Sequence, residues 1–214
     1  MTEADIENVL DQFAAAARRS LRAGFEVLEL HMGHGYLVHQ FLSPLANYRE
    51  DGYGGSFQGR VAFAMRLVAA VRSEWPSQLP LFVRLSATDW IDGGWDIEQS
   101  VSLARLMLPA GVDLIDCSSG SINPESQGPM TPHFQVPFDE RIRREAGVAT
   151  AAVGMITEAQ QADEILTNGS ADLVFLARAL LLDPYWPRRA SEALEGKAPW
   201  PVQYQRAVSS LARK

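Results

Sequence analysis

The sequence predicts an α/β fold in which short parallel strands alternate with amphipathic helices. Apolar runs predict five strands, and apolar side chains at helical spacing predict the helices between them. Short apolar strands separated by helices pair in parallel, and the helices then cover the sheet. A third observation is that polar residues or a glycine follow the strands, namely His31, Ser86, Ser118, Gly154 and Arg178.

The first part of the chain contains two of the predicted strands. A helix is expected to begin after Thr2, because this residue and the acidic residue three positions later resemble a capping box. Gly24 is expected to end that helix. The first strand is predicted at residues 25–30. A second helix, with apolar residues between 61 and 71, leads to a second strand at 81–85.

The second part of the chain repeats the same unit three times. The predicted elements are, in chain order, helix 97–108, strand 112–116, helix 138–146, strand 148–153, helix 158–167 and strand 172–176. A last helix is expected at about residues 187–194. We find no linker and no low-complexity segment, so one domain is expected.

Two architectures of parallel strands fit this alternation, an open doubly wound sheet and a closed barrel. The open dinucleotide-binding sheet needs a Gly-x-Gly-x-x-Gly turn after a strand, and the sequence contains none. Polar residues past the carboxyl ends of the strands are typical of the catalytic rim of a TIM (β/α)₈ barrel. The sequence therefore favours the barrel.

The number of strands is smaller than a complete barrel requires. We find five, whereas a (β/α)₈ barrel has eight strands and typically ~250 residues. We therefore expect residues 1–214 to form about the last five βα units of a single longer barrel domain, with residues 198–214 as a C-terminal tail. Met1 stands where the helix before the fourth strand would begin.

The composition excludes several classes of function. The net charge of -7 offers no basic surface for nucleic acid or an anionic membrane. Cys117 is the only cysteine, which excludes an internal disulfide and a cysteine-bound iron–sulfur cluster within one chain. No apolar run is long enough to span a membrane. These features favour a cytoplasmic protein that acts on small molecules and has no structural metal.

A polar segment directly after the first strand contains the residues best suited to chemistry. His31, His34 and Tyr36 place two imidazoles and a phenol on one loop. Two imidazole N–H groups can polarise a carbonyl oxygen, and a nearby phenol can supply a proton. A zinc pair and incidental core histidines are the alternatives, although zinc usually has a further protein ligand and none follows nearby.

The segments that follow resemble the signature of the Old Yellow Enzyme family. FLSPLANYR at 41–49, DGYGGS at 51–56 and Arg60 match that family's motifs in order, and the resemblance continues to about Arg206. Several spaced motifs in one order are more specific than a single motif. The resemblance implies a (β/α)₈ barrel that holds FMN non-covalently at its C-terminal mouth, with NADPH or NADH as the hydride donor.

The resemblance also implies roles for individual residues. His31 and His34 match the pair that binds the carbonyl or nitro oxygen of the substrate, and Tyr36 matches the proton donor. Arg84 matches the arginine that faces the N1/O2 edge of the flavin, where a fixed positive charge tunes the cofactor. Without the resemblance, we would interpret Arg84 as a salt-bridged structural residue.

Three further residues match the loops that hold the FMN phosphate. Gly154 follows the fourth strand, and Ala177 and Arg178 follow the fifth. A glycine lets the backbone approach a phosphate closely, and an arginine adds a charge-assisted contact. Ala177 departs from the family pattern, which commonly has glycine there, and its methyl group is expected to shift the loop slightly.

The C-terminal tail resembles that of the thermophilic-like ene-reductases. In that subclass the arginine of a segment similar to PVQYQR at 201–206 reaches into the active site of a neighbouring subunit. The resemblance therefore implies a homo-oligomer in which Arg206 binds substrate across the interface. A disordered basic tail is the alternative, because residues 208–214 extend past the family's usual end. Cys117 is expected to be a packed thiol at the end of a strand.

The implied function is that of an FMN-dependent ene-reductase. It would pass hydride from NAD(P)H through the flavin to the activated C=C bond of an α,β-unsaturated carbonyl or nitro compound. The related dienoyl-CoA reductase and amine dehydrogenase branch carries an iron–sulfur cysteine cluster, whereas this chain has one cysteine. The alternative is a truncated, non-catalytic fragment of an ene-reductase that does not retain FMN.

Overall fold

The computed structural model describes residues 1–196 and 198–207 and contains a curved, five-stranded parallel sheet in the order β1-β2-β3-β4-β5. The strands are β1 (Leu28–Met32), β2 (Leu81–Ser86), β3 (Leu114–Ser118), β4 (Ala149–Val153) and β5 (Leu173–Phe175). The helices are α1 (Glu3–Arg22), α2 (Leu37–Leu42), α3 (Phe57–Arg72), α4 (Ile97–Met107), α5 (Val136–Ala146), α6 (Ala159–Thr167), α7 (Arg178–Leu182) and α8 (Trp186–Ala193), followed by a 3₁₀ turn at Val202–Tyr204.

The predicted alternation of strands and helices is confirmed, and two short helices were not predicted. These are α2, which follows the first strand, and α7, which follows the last. They have six and five residues. Segments of that length contain fewer than two helical turns, so no apolar periodicity can be recognised in them.

The first strand begins later than predicted. Strand β1 starts at Leu28, which pairs with Leu81 of β2, and not at residue 25. The side chains of Phe25 and Val27 are exposed, so part of the apolar run lies in the preceding loop. The shift places His31 inside the strand instead of on the loop beyond it, where its side chain is oriented by the sheet.

The third strand is shifted in the same direction. It begins at Leu114 instead of residue 112, and its last residue, Ser118, pairs with Ser86. Both serines therefore end strands instead of following them. Parallel pairing with β2 sets this register, and that constraint is not contained in the apolar run itself.

The two faces of the sheet differ in chemistry. One face carries His31, Arg84, Asp116 and Ala151 in a single row across four neighbouring strands. The sheet curves toward this face, because the rings of Phe82 on β2 and Phe175 on β5 lie 6.3 Å apart across two intervening strands. The polar row is therefore on the concave face.

The hydrophobic core lies between the convex face and the helices. Val83, Leu85 and Ile115 point to this side of the sheet and are fully buried. Phe63 and Leu67 of α3 pack in the same cluster. This arrangement agrees with a barrel wall, in which alternate strand residues pack outward against helices and the others point toward the interior.

Helix α1 has the predicted start and end. The Thr2 hydroxyl accepts the Asp5 N–H at 3.2 Å, and the Asp5 carboxylate accepts the Thr2 N–H at 2.7 Å. Gly24 follows the C-cap residue Ala23 with φ +86°, in the left-handed region that glycine tolerates. The capping box and the glycine stop are therefore both confirmed.

Candidate active site

The loop after β1 is tightly fixed against the end of β2. His34 and Gly35 both have left-handed backbone conformations, with φ +57° and +74°. The His34 N–H donates to the Ser86 hydroxyl at 2.9 Å, and this hydroxyl donates to the Gly120 carbonyl at 2.9 Å. At Gly33 a Cβ atom would lie 2.8 Å from the Ser86 nitrogen, so only glycine allows this approach.

The structure brings together the three chemical groups singled out in this segment. His34 Nδ1 lies 3.3 Å from His31 Nε2, and His34 Nε2 lies 2.5 Å from the Ser118 hydroxyl. The Tyr36 ring contacts the His31 ring with centroids 5.4 Å apart. Tyr36 is 64% exposed. The phenol therefore remains accessible beside two imidazoles that at present contact each other and a serine.

The surroundings of both imidazoles favour the uncharged form. Burial, the positive charge of Arg84 and the neighbouring His31 together lower the pKa of His34 to about 4. Burial and Arg84 also lower the pKa of His31. A neutral imidazole can still donate one N–H to an oxygen atom. To donate to a substrate oxygen, these rings must exchange part of their contacts with each other and with Ser118.

Arg84 is paired with a buried carboxylate that sequence reasoning missed. Arg84 and Asp116 are register partners on β2 and β3, and Nε lies 3.1 Å from Oδ2 without hydrogen-bond geometry. Asp116 is fully buried, and burial raises its pKa to about 7, opposed by the charge of Arg84. Arg84 is therefore a salt-bridged residue, as the structural interpretation proposed. It also lines the cavity described next.

A cavity of about 470 Å³ opens at the carboxyl ends of the strands. It extends from the β1 and β2 side of the sheet to the loops after β4 and β5. Its walls include His34, Arg84, Ser118, Met130, Phe134, Gly154, Phe175, Ala177 and Arg178. Ligand pockets typically have volumes of ~300–1,000 Å³. The cavity thus joins the β1 loop to the three residues matched to the phosphate site.

The loop after β4 is held by a glutamine that sequence reasoning also missed. Gln135 is buried, accepts the Ser119 hydroxyl at 2.6 Å and donates to the Val153 carbonyl at 2.5 Å. Gly154 has φ +103°, and a Cβ there would lie 2.5 Å from Gln135 Nε2. The close packing of this amide explains why glycine is required, in addition to any approach of a phosphate.

The last strand contributes the remaining phosphate-site candidates. Ala177 is the N-cap residue of α7, and Arg178 is the first residue of that helix. Both are exposed and line the cavity. The Arg178 guanidinium is therefore placed where it can contact an anion in the cavity, and the Ala177 methyl group lies at the same wall.

The comparisons with known proteins identify the family. A family model described as NADH:flavin oxidoreductase / NADH oxidase matches residues 1–197. The chain belongs to this family. The NADPH dehydrogenase of Geobacillus thermodenitrificans (strain NG80-2) is 50% identical over 206 residues, which cover 96% of this chain and 60% of that protein. The chain spans about 60% of the length of the curated relatives it matches.

Solved structures of the family have the same fold. Morphinone reductase in complex with tetrahydroNAD superposes with a TM-score of 0.71 at 25% identity, covering 94% of this chain and 53% of that chain. The Old Yellow Enzyme homologue from Zymomonas mobilis gives a TM-score of 0.75 at 24% identity, covering 94% and 55%. The expected partial (β/α)₈ barrel and the Old Yellow Enzyme family are therefore confirmed.

FMN is the cofactor of this family, with NADPH or NADH as reductant, and the residues of the cavity suit it. Arg84 lines the cavity, and its Nε–H is buried without a hydrogen bond, which suits a polar edge of a ring system. Arg178 supplies a second positive charge at the opposite side of the cavity. Arg84, Gly154, Ala177 and Arg178 all line this cavity and are the candidates for holding FMN.

The other expectations concern residues outside the cavity. Cys117 is buried on the convex face, and burial raises the pKa of its thiol well above the usual value, so the packed-thiol interpretation is confirmed. Arg206 is exposed and does not line the cavity of this chain. The extension at 208–214 lies outside the described residues.

Two kinds of feature are not found in the part of the chain that the structure describes. No group of three or more His, Cys, Asp or Glu side chains there could hold a metal ion. In the same residues, no helix combines the length and the apolar composition needed to cross a bilayer.

Proposed function

We propose that this protein is an FMN-dependent ene-reductase that uses NAD(P)H to reduce the activated C=C bond of an α,β-unsaturated carbonyl or nitro compound. The observation that carries the proposal is that His34 lines the same cavity as Arg84 and Arg178, while His31 contacts His34 and the Tyr36 ring contacts His31. The names of the relatives support the dehydrogenase part, and the morphinone reductase complex supports a nicotinamide donor.

The bound flavin would supply hydride transfer, accepting hydride from the nicotinamide and passing it to the substrate. Arg84 would place its guanidinium against the polar edge of the ring system, where negative charge develops during reduction. Asp116 lies beside Arg84 on the next strand and would hold the guanidinium in the polar row of the sheet. Gly154, Ala177 and Arg178 would bind the phosphate group at the far side of the cavity.

His31 and His34 would bind the acceptor oxygen of the substrate. Because burial and Arg84 keep both imidazoles neutral, each can offer an N–H without placing a second full charge near Arg84. Two donors on the carbonyl oxygen withdraw electrons from the conjugated C=C bond and stabilise negative charge on the oxygen as hydride arrives at the β-carbon.

Tyr36 would complete the reaction by donating a proton to the α-carbon. Its ring lies beside His31 and is largely exposed, so the hydroxyl would be accessible to a bound enone. A positioned general acid contributes ~10²–10⁴-fold to a rate. The phenolate left behind regains a proton from solvent, because the side chain is accessible.

The alternative is that the chain by itself does not retain FMN. Strands β1 and β5 are the edges of the sheet, and Leu173 on the last strand is 41% exposed. Exposed edges and apolar surface favour self-association over a well-behaved monomer. Purification of the 214-residue chain with excess FMN, followed by a visible spectrum and an elution volume, separates the two. A flavin spectrum in a cooperatively melting protein of defined size supports the active chain, and colourless aggregates support the alternative.

We further propose that Arg206 acts on substrate bound to a neighbouring subunit of a homo-oligomer. The motivation is its exposed position next to the Val202–Tyr204 turn, outside the cavity of its own chain. Arg206→Ala subunits mixed with Tyr36→Phe subunits should regain activity, because a mixed pair contains one complete site. If subunit exchange is demonstrated and activity stays at the level of the parents, the trans role is excluded.

A further inference from the structure

A fully buried histidine–aspartate pair lies behind the β1 loop and takes no part in the proposed chemistry. His39 of α2 and Asp89, in the loop after β2, both have 0% exposure. His39 Nε2 lies 2.9 Å from Asp89 Oδ1. Buried polar groups of this kind are retained when every one of their hydrogen bonds is satisfied, so the partners of both residues are informative.

The partners of His39 fix its tautomer. Its Nδ1 accepts the backbone N–H of Gly35 at 2.9 Å, so Nδ1 carries no proton. The proton of a neutral imidazole is then on Nε2, which donates to Asp89. His39 therefore connects the carboxylate to the residue that stands between His34 and Tyr36.

The partners of Asp89 hold it in one orientation. Its Oδ2 accepts the Ser43 hydroxyl at 2.6 Å and the Trp95 N–H at 2.7 Å, while its Oδ1 accepts from His39. These three donors come from the segment after α2, from the loop after β2 and from α2 itself. The carboxylate thus joins the loop after β1 to the loop after β2.

The backbone that His39 contacts needs support. His34 and Gly35 are consecutive residues with left-handed φ, and this conformation is unfavourable for a histidine. Such a conformation persists only where surrounding contacts determine it. The Ser86 hydroxyl accepts the His34 N–H on one side, and His39 accepts the Gly35 N–H on the other.

We propose that His39, oriented by Asp89, is a positioning residue that holds Gly35 and thereby sets the places of the His34 imidazole and the Tyr36 phenol. The contacts alone support the claim that His39 holds Gly35. The effect of His39 on catalysis rests on the proposed function. If the pair were purely structural, the hydrogen bonds of His39 and Asp89 would have to be satisfied, but either tautomer of the His39 ring would serve.

Asp89→Asn tests the tautomer directly. If the new amide NH₂ faces His39, Nε2 must accept, the imidazole proton moves to Nδ1, and this N–H then opposes the Gly35 N–H. If the amide oxygen faces His39 instead, the NH₂ opposes the Trp95 N–H. Either orientation leaves two donors facing each other, so the variant disturbs one of the two loops.

Two substitutions of His39 distinguish a residue that holds the Gly35 N–H from one that only occupies buried space. In His39→Asn the amide oxygen can occupy the place of Nδ1 and still accept from Gly35. In His39→Gln the amide reaches toward Asp89 but leaves the Gly35 N–H without an acceptor. Ser100→Ala is the matched control, because the Ser100 hydroxyl is buried, accepts the Trp95 Nε1–H at 2.7 Å and lies outside the β1 loop.

The measurements are nitrogen NMR of the His39 ring, hydrogen exchange of the Gly35 amide and steady-state enone reduction. We expect an Nε2–H tautomer in the wild-type chain and faster Gly35 exchange in His39→Gln. In Asp89→Asn we expect faster Gly35 exchange when the ring spectrum shows that the His39 proton has moved to Nδ1. We also expect a fall of about 10- to 100-fold in kcat for those two variants. His39→Asn and Ser100→Ala should stay close to wild type in exchange and in kcat.

Several results would overturn the proposal. One such result is a His39 ring that carries its proton on Nδ1, or on both nitrogens, in the wild-type chain. This measurement does not depend on whether any variant folds. Another is unchanged Gly35 exchange in a folded Asp89→Asn variant whose His39 ring carries its proton on Nδ1, or equal effects of His39→Asn and His39→Gln on Gly35 exchange. Because the ring and amide measurements need neither FMN nor turnover, an inactive wild-type chain would contradict the proposed function and still leave the positioning role tested.

Discussion

The convex and concave faces of the same five strands have opposite chemistry. On β2, Val83 and Leu85 face the helices and are fully buried, whereas Arg84 between them faces the concave side and is partly exposed. On β3, Ile115 faces the helices, and Asp116 beside it faces Arg84. Alternate residues of one strand thus serve packing and chemistry separately.

Because their chemistry differs, the two faces of the sheet should respond differently to substitution. Apolar side chains on the convex face contribute to the free energy of unfolding through burial. Charged and polar groups at the concave mouth are partly removed from water, and they serve the binding and reaction of a ligand instead of the stability of the fold. Changes at the mouth should therefore alter activity with small effects on stability, and changes on the convex face should do the reverse.

The largest effect is expected from Tyr36→Phe. Loss of the phenolic hydroxyl should slow enone reduction by ~10²–10⁴-fold, because the proton donor is removed. Reduction of the flavin by NADPH should be nearly unchanged, and so should the melting temperature, since the side chain is 64% exposed. Stopped-flow measurement of the two half-reactions checks this. Equal losses in both would mean that Tyr36 positions the flavin or the substrate instead.

A smaller effect, on stability only, is expected from Leu85→Ala. The side chain is fully buried on the convex face, so the truncation should lower the free energy of unfolding by ~2–5 kcal/mol. Leu173→Ala is the matched control, because Leu173 is 41% exposed, and its cost should stay within ~0.5 kcal/mol. Denaturant unfolding measures both. Similar costs at the two positions would contradict the separation of the two faces.

A pH dependence of stability is expected from Asp116. Burial raises its pKa from 3.8 to about 7, so the folded protein binds a proton that the unfolded chain has already lost. This contribution to stability is complete below pH 3.8 and is lost as the pH rises toward about 7. The slope is at most ~1.4 kcal/mol per pH unit for one proton. Asp116→Asn should remove it.

Unfolding of wild type and Asp116→Asn, measured across this pH range, checks that prediction. The stability of the variant relative to wild type should increase as the pH rises, because every other titrating group is shared. Parallel stability curves for the two proteins would mean that Asp116 is ionised throughout and that Arg84 dominates over burial.

The sequence predicted most of the fold because the fold depends on local patterns. Apolar runs and helical periodicity gave the number and order of the long elements, and the capping box at Thr2 was confirmed in detail. Exact strand limits depend on pairing between distant segments, so β1 and β3 were placed two or three residues early. The short helices α2 and α7 lacked a recognisable period.

The site was predictable where its residues lie together in the chain. His31, His34 and Tyr36 occupy one short segment, and the structure brings them into contact. Asp116 and Gln135 were missed, because their partners belong to other strands and only the register of the sheet reveals them. Pairing the predicted strands in parallel would have placed Arg84 near a charged residue of the next strand.

The most direct test of the central claim is the binding of a phenol to the flavin-loaded protein. A phenolate mimics the acceptor oxygen, and it should give a long-wavelength charge-transfer band when it lies over the flavin and accepts hydrogen bonds from His31 and His34. We expect this band in the wild-type protein, and we expect it to be lost, together with enone turnover, in a folded His31→Ala, His34→Ala double variant. Full phenol affinity and full turnover in that variant would contradict it.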